Sequence, residues 1–205
     1  MEKNESKFIK IGNHPSLDFI NTQLMNKGKA IDLLEDLTDL VHWLGSEDLL
    51  TTEEAGEAIK RWDETDEAGR VMDEARMLRA VLRDAVESLT KGGDVPQAAL
   101  DEVNRLFRRD HGYNELVRSQ TGLIHRVSLN LGEPSNLLVP IAKSAGELFC
   151  HGDRSLIKRC ENPSCILFFY DTTKNHRRRW CSMEICGNRI KAAAFYQRRR
   201  RMDSK

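Results

Sequence analysis

Four cysteines carry the most specific chemistry in this chain. Cys160 and Cys165 are separated by four residues, Cys181 and Cys186 by four more, and fifteen residues lie between the pairs. Two identical pairs so close in sequence can supply four thiolates, the closed tetrahedral set that zinc takes in structural sites, with each sulfur about 2.3 Å from the metal. The spacing is wider than the commoner two-residue knuckle. Paired cysteines also suit disulfides, but those belong to oxidising compartments. The stretch Met-Glu-Lys-Asn-Glu-Ser-Lys at the start lacks the apolar core of a signal peptide, and no apolar run approaches the roughly 18 residues of a membrane span. A cytoplasmic setting with reduced thiols, and no membrane partner, is therefore expected. Four thiolates leave no coordination position for water, so the expected Zn2+ is structural and not hydrolytic. No nucleophile motif, phosphate-binding glycine loop or open metal site stands elsewhere, which points away from an enzyme. Cys150, on an expected helix, reads as a core thiol.

The cysteines sit in a basic segment. The formal net charge is zero, yet residues 154–201 hold 13 Lys/Arg against 3 Asp/Glu, while the first 153 residues hold 18 against 28. An asymmetry of this size suggests a polyanion as the partner of the basic part. A zinc ion in four thiolates carries a formal charge of −2, which nearby arginines offset; the segment still keeps about +8 by formal counting. Ser182 can cap a helix over about 183–200 with Cys186 in its first turn. On that helix Ile190, Ala193 and Ala194 should face inward, and Asn188, Lys191, Phe195 and Arg198 should form an outer stripe. The expected nucleic-acid contacts are Arg177, Arg178, Arg179, Asn188, Arg189, Lys191, Arg198 and Arg199, with duplex DNA as the leading partner and RNA as the nearest rival. Electrostatic docking on an acidic protein, the chain's own acidic part included, is the remaining alternative.

These groups need elements to hold them. Apolar residues from Ile31 through Leu33, Leu34, Leu37, Leu40, Val41 and Leu44 recur at helical spacing, with Gly45 as a stop. Thr51-Thr-Glu-Glu54 fits a capping box that opens a second helix toward Trp62. A long helix spans about 65–90, closed by Gly92-Gly93, and another follows Asp94-Val-Pro96. Gly112–Ser119 and Leu123–Leu131 read as a β-hairpin, and Pro134–Cys150 as a further helix. Between the cysteine pairs, Ile166–Tyr170 should form a strand packing with Trp180, followed by a turn at Asp171–Asn175. Trp43, Trp62, Met72 and Met77 read as packing residues; His42, His111 and His125 lack ligand spacing. The expectation is an α+β chain, mostly helical: a helical domain with a β-hairpin over 1–153, and a small zinc-stapled finger with a basic helix over 154–205. So small a module buries too little apolar surface to fold without a staple.

The motifs Cys160-Glu-Asn-Pro-Ser-Cys165, Phe169-x-Asp171-Thr-Thr-Lys-Asn175, Arg178-Arg-Trp-Cys181-Ser-Met and Cys186-Gly-Asn-Arg189 resemble the CGNR zinc finger through about 40 residues. The sequence departs from it at Ile166 and His176, where that family often has glycine. Upstream, Leu17-Asp-Phe-Ile-Asn-Thr22, the Asp32-Leu-Leu segment leading to Trp43-Leu44, and Met77-Leu-Arg79 resemble the ABATE domain that commonly precedes this finger. The resemblance implies a one-component stress-response transcription regulator with an N-terminal sensing domain, for which a small-molecule effector is a candidate partner; the sequence leaves an oligomer open. Asp18, Asn21 and Arg79 are the polar residues of the upstream motif that could meet such a ligand; alternatively Asp18 and Asn21 shape the chain before the first long helix and Arg79 makes an ion pair. A ligand-binding or enzymatic N-terminal domain, with the finger serving as a docking module, is the competing reading.

Overall fold

The computed structural model describes residues 7–110, 112–119 and 122–203. Helices α1 (Pro15–Ile20), α2 (Leu37–Ser46), α3 (Thr52–Trp62), α4 (Asp66–Thr90), α5 (Gln97–Phe107), α6 (Val139–His151) and α7 (Asn188–Asp203) make the chain predominantly helical. Six short strands join them in three antiparallel pairs: β1 (Gln23–Asn26) with β2 (Lys29–Asp32), β3 (Tyr113–Ser119) with β4 (Gly122–Ser128), and β5 (Ile157–Arg159) with β6 (Phe168–Tyr170). Among the described residues no helix is long and apolar enough to cross a membrane.

The long α4 is the axis. Val71, Met72, Ala75, Leu78, Leu82, Val86 and Leu89 bury one stripe at intervals of three and four, and α1, α2, α5 and β5 all pack on it. The capping box that opens α3 forms as the sequence expects, Thr51 accepting from the Glu54 amide and Glu54 accepting from the Thr51 amide. Helix α6 begins only at Val139 because a 3-10 stretch over Pro134–Leu138 precedes it, with Pro140 unable to donate in the first turn. Trp43, Trp62 and Met72 are buried as expected, whereas Met77 is 51% exposed.

The stretch from Ile31 departs from the helix expected there. Lys27 and Gly28 both take positive φ, at 48° and 81°, the geometry of a tight two-residue hairpin turn, and Ile31 belongs to β2. Asp36 then accepts from the Asp39 amide and starts α2 afresh, which runs through Gly45 to Ser46. The helical spacing of Ile31, Leu33 and Leu34 was a coincidence of a strand and a linker. Cys150 is likewise exposed and not a core thiol. His111 lies outside the described residues.

The C-terminal segment is welded to the helical body. Ile157 and Phe168 belong to the same apolar core as Phe19, Trp43 and Leu78, while Leu167 and Phe169 turn to a second cluster around the cysteines, with Ile11 and Leu24 packed against it. Period-two alternation in this strand thus serves two cores, one on each face. Asn21 completes the weld: its amide donates to the Phe168 carbonyl at 2.8 Å and its carbonyl accepts from the Phe168 amide at 3.0 Å. Arg83 does the same from α4, donating to the carbonyls of Ile20, Gln23 and Ile166 at 2.6, 3.2 and 2.9 Å. Burial, with the nearby Arg79 charge adding to it, pulls the Arg83 pKa down to about 10, which leaves the guanidinium charged at neutral pH.

Truncating Asn21 strands a buried donor and a buried acceptor on Phe168, each costing about 1–3 kcal/mol. Asn21→Ala should therefore lower the unfolding free energy by about 2–4 kcal/mol in a denaturant titration, although Asn21 touches neither the cysteines nor α7; a loss below 0.5 kcal/mol would show the weld to be dispensable.

Candidate metal centre and nucleic-acid interface

The four cysteines converge as their spacing expects. Cys160 follows β5, Cys165 closes the next turn by donating its amide to the Asn162 carbonyl, and the Cys160 amide donates to the Leu167 carbonyl, which folds the first pair back on itself. Cys181 and Cys186 flank the start of a wide turn with π-type hydrogen bonding, Met183–Gly187, capped by Ser182 through the Ile185 amide. All four thiols are buried, and their sulfurs lie within 4.8 Å of one another. Sulfurs 2.3 Å from a tetrahedral ion stand about 3.8 Å apart; the Sγ atoms of Cys165 and Cys181 are separated by 3.9 Å. That is far beyond a disulfide bond of about 2.05 Å, and all five cysteines are free.

The electrostatics favour a cation. Hydrogen bonds from Cys165 and then Cys181 pull the Cys160 thiol down to about 2, while the same bond to Cys160 pushes Cys165 up to about 12 and drives Cys181 upward as well, burial adding to both. A divalent cation would let every sulfur ionise. Asn162 already donates its amide to Cys186 Sγ at 3.1 Å, the kind of outer hydrogen bond that orients a ligand.

Around the centre, Asp171 organises the loop between the pairs. It is fully buried and accepts from Lys158 Nζ at 2.6 Å, from the Thr173 amide and hydroxyl at 3.1 and 2.6 Å, and from the Arg178 amide at 2.9 Å. Burial alone would raise its carboxyl, but the Lys158 and Thr173 hydrogen bonds outweigh burial and hold it well below the usual carboxylate range. The sequence showed Asp171 only as a turn residue; Lys158, its counter-charge 13 residues away, gave no signal of the pairing.

The residues expected to meet nucleic acid divide by what they already touch. Arg178 is half-buried: its guanidinium stacks 4.1 Å over Phe169 and donates to the carbonyls of Ile11, Trp180 and Cys181. Arg179 pairs with Glu161 at 2.6 Å and lies 5.2 Å over Trp180. Arg177, Asn188, Arg189, Lys191 and Arg199 are exposed, and no carboxylate among the described residues pairs with them. The side chain of Arg198 lies outside the described residues, as does that of Ala194. Helix α7, 16 residues and about 24 Å long, makes its main contacts through the turn that precedes it. Of its expected inward face, Ile190 is half-buried and Ala193 is exposed, while Phe195, expected on the outer stripe, is 54% exposed and Tyr196 beside it 63%. The helix projects because its start is anchored by Cys186 and Ser182, not by an apolar stripe.

The residues expected to meet an effector are bound internally. Arg79 forms an ion pair with Asp32 and donates to Thr22 at 2.7 Å. Asp18 Oδ1 accepts from the amides of Ile11 and Gly12 at 2.9 and 2.7 Å. That short strap in turn holds the C-terminal segment, with the Tyr170 amide donating to Gly12 and Arg178 to Ile11.

A family model described as "Putative stress-induced transcription regulator", ABATE, matches residues 13–152, and the CGNR zinc finger model matches residues 157–199. No curated protein matches.

Replacing Cys181 by Ser should leave well under one equivalent of tightly held metal per chain and unfold the C-terminal segment, whereas Cys150→Ser should leave the metal content unchanged; metal analysis of reduced, folded protein decides between these outcomes. A second expectation concerns pH. Burial raises the Asp18 pKa from 3.8 to about 6, against the pull of the Gly12 and Ile11 amides. The folded state then holds this proton more tightly than the unfolded chain, so the group's contribution to stability grows as pH falls from about 6 toward 4, by up to about 3 kcal/mol. Asp18→Asn keeps the acceptor without the charge: its stability advantage over wild type at pH 7 should shrink toward zero at pH 4, and a pH-independent difference would refute the shift.

Proposed function

The chain belongs to the ABATE family and carries a CGNR zinc finger, and from that premise we propose that it is a zinc-dependent, DNA-binding transcription regulator of the cytoplasm, not an enzyme. In this reading residues 1–153 form the sensing domain and residues 154–205 the finger. Cys160, Cys165, Cys181 and Cys186 hold Zn2+, which when bound offsets half of the thiolate charge and cross-links the two halves of the finger. With four protein ligands the ion has a structural role.

The observation that carries DNA binding is the projecting α7, whose exposed cations have no carboxylate partner among the described residues while most cations of the helical body do. A free helix about 10–12 Å across with its side chains matches the width of a major groove. Asn188 and Arg189 stand at its N-terminal end, where base edges would be read; Lys191, Arg198 and Arg199 follow along its length, and Arg177 and Arg179 flank it from the loop. The acidic body would be repelled by the same polymer, which orients the approach.

RNA is the second reading, favoured by one observation: Phe195 and Tyr196 present exposed rings in edge contact, 5.8 Å between centroids, and unpaired bases stack on such rings. The effector reading rests on the strap and the weld, since Asn21 bonds the Phe168 backbone directly and Asp18 holds the Ile11–Gly12 strap to which Tyr170 and Arg178 donate.

Duplex affinity of the zinc-loaded chain should fall linearly with salt on logarithmic axes. Arg189→Ala should cost about tenfold or more on a preferred duplex selected from genomic fragments and relax its sequence preference, while Phe195→Ala should cost little. Binding that prefers single-stranded RNA and depends on Phe195 would replace DNA by RNA; wild-type affinity and preference in Arg189→Ala would remove α7 as the reading element.

A further inference from the structure

Two basic concavities border the C-terminal segment, and they differ in whether their charge is already spent. The larger, about 590 Å³, lies between the end of α4 and β5. Four of its five cations are paired with carboxylates, Lys91 with Glu87 at 2.9 Å, Arg154 with Asp94 at 2.9 Å, Lys158 with Asp171 at 2.6 Å and Arg159 with Glu87 at 3.4 Å, and the fifth, Arg178, is held by backbone carbonyls. A polyanion entering there would have to displace carboxylates from each of those four.

The second concavity, about 480 Å³, runs between the loop over 173–180 and the turn that starts α7, and no carboxylate lines it. Lys174 and Arg177 on its rim are exposed and make no hydrogen bond or ion pair with any described residue. Trp180 and Met183 give it an apolar floor. Arg179, itself paired with Glu161 at 2.6 Å, and Lys191, which has no carboxylate partner among the described residues, lie 5.2 and 5.9 Å over the Trp180 ring, so one indole gathers a loop cation and a helix cation beside the same groove. The loop is fixed in advance: Asp171 holds Thr173 and Arg178, Lys158 donates to the His176 carbonyl at 2.5 Å, and His176 makes the bend at φ 48°. Little ordering of the loop backbone would then be charged against binding.

We propose that this groove clamps the sugar–phosphate backbone of one strand of the bound nucleic acid, with Lys174 and Arg177 on successive phosphates, the sugars over the Trp180–Met183 floor, and Trp180 as a positioning residue for Arg179 and Lys191. The inference rests on the nucleic-acid-binding reading above and adds to it a site that contributes affinity without sequence preference, next to a helix that would supply the preference.

The test compares two double variants of the full zinc-loaded chain that lose the same charge, Lys174→Ala/Arg177→Ala and Arg154→Ala/Arg159→Ala, by measuring duplex affinity against salt concentration. Each lost phosphate contact reduces the logarithmic salt slope by about 0.9. The groove variant should lose about 1.8 in slope, equally on preferred and random duplexes, while the variant in the paired cleft keeps the wild-type slope. Trp180→Leu should flatten the slope part of the way with metal content unchanged. An unchanged slope in the groove variant, or equal losses in both double variants, overturns the clamp while the functional reading stands. Failure of the wild-type chain to bind any nucleic acid at low salt overturns both.

Discussion

The crowding of four sulfurs within 4.8 Å is the constraint to which the C-terminal quarter of the molecule answers. Four thiolates so close repel, and four thiols would be a poor use of buried space, so the arrangement is favourable only around a cation. The consequences reach outward in order. Asn162 is placed to donate to a sulfur, Arg178 is drawn over Phe169 with its guanidinium on nearby carbonyls, and Ser182 and Cys186 fix the turn from which α7 leaves. Bound metal in modules of this kind contributes on the order of 10 kcal/mol to folding, which outweighs what the small cluster of Leu167, Phe169 and their neighbours can supply through burial. The helix can therefore dispense with an apolar face and spend its length on charge.

Charge then sorts surfaces more finely than composition does. Counting Lys and Arg would rank the cleft beside α4 above the groove beside α7, because both are basic and the first is larger. Ion pairing reverses that ranking: Glu87, Asp94 and Asp171 hold four cations of the first, whereas in the second Glu161 holds Arg179 and leaves Lys174 and Arg177 without a carboxylate among the described residues. Within one tripeptide the same sorting separates Arg178, packed inside, from Arg179, shared with Glu161, and from Arg177, which is free. Consecutive arginines that look equivalent in the sequence have three different chemical situations.

What could be read from the sequence was whatever is local. The capping box at Thr51–Glu54, the 3.6-residue stripe of α4 and the paired cysteines are each decided within a few residues, and each appears as the spacing requires. The backbone at His176 was not read from the sequence: this residue, standing where the resembled family often has glycine, takes the left-handed bend at φ 48°. The first hairpin was not legible, because strands of four residues leave too little alternation to compete with an apparent helical period. Nor were the welds, since Asn21 and Phe168 lie 147 residues apart and their pairing exists only in the folded chain.

Those welds change what the boundary near residue 155 means. A finger on a tether would report nothing to the domain before it. Here Phe168 and Ile157 lie in the body's own core, and the face of the same strand opposite Phe168 lines the cluster around the cysteines. Any shift of α1 or α4 that disturbs Asn21 or Arg83 must move β6, and β6 leads directly into the Asp171 loop and the groove beside α7. The body and the finger therefore share one strand: its Phe168 face belongs to the core of the helical body, its Phe169 face to the cysteine cluster, and its end to the loop that Asp171 organises.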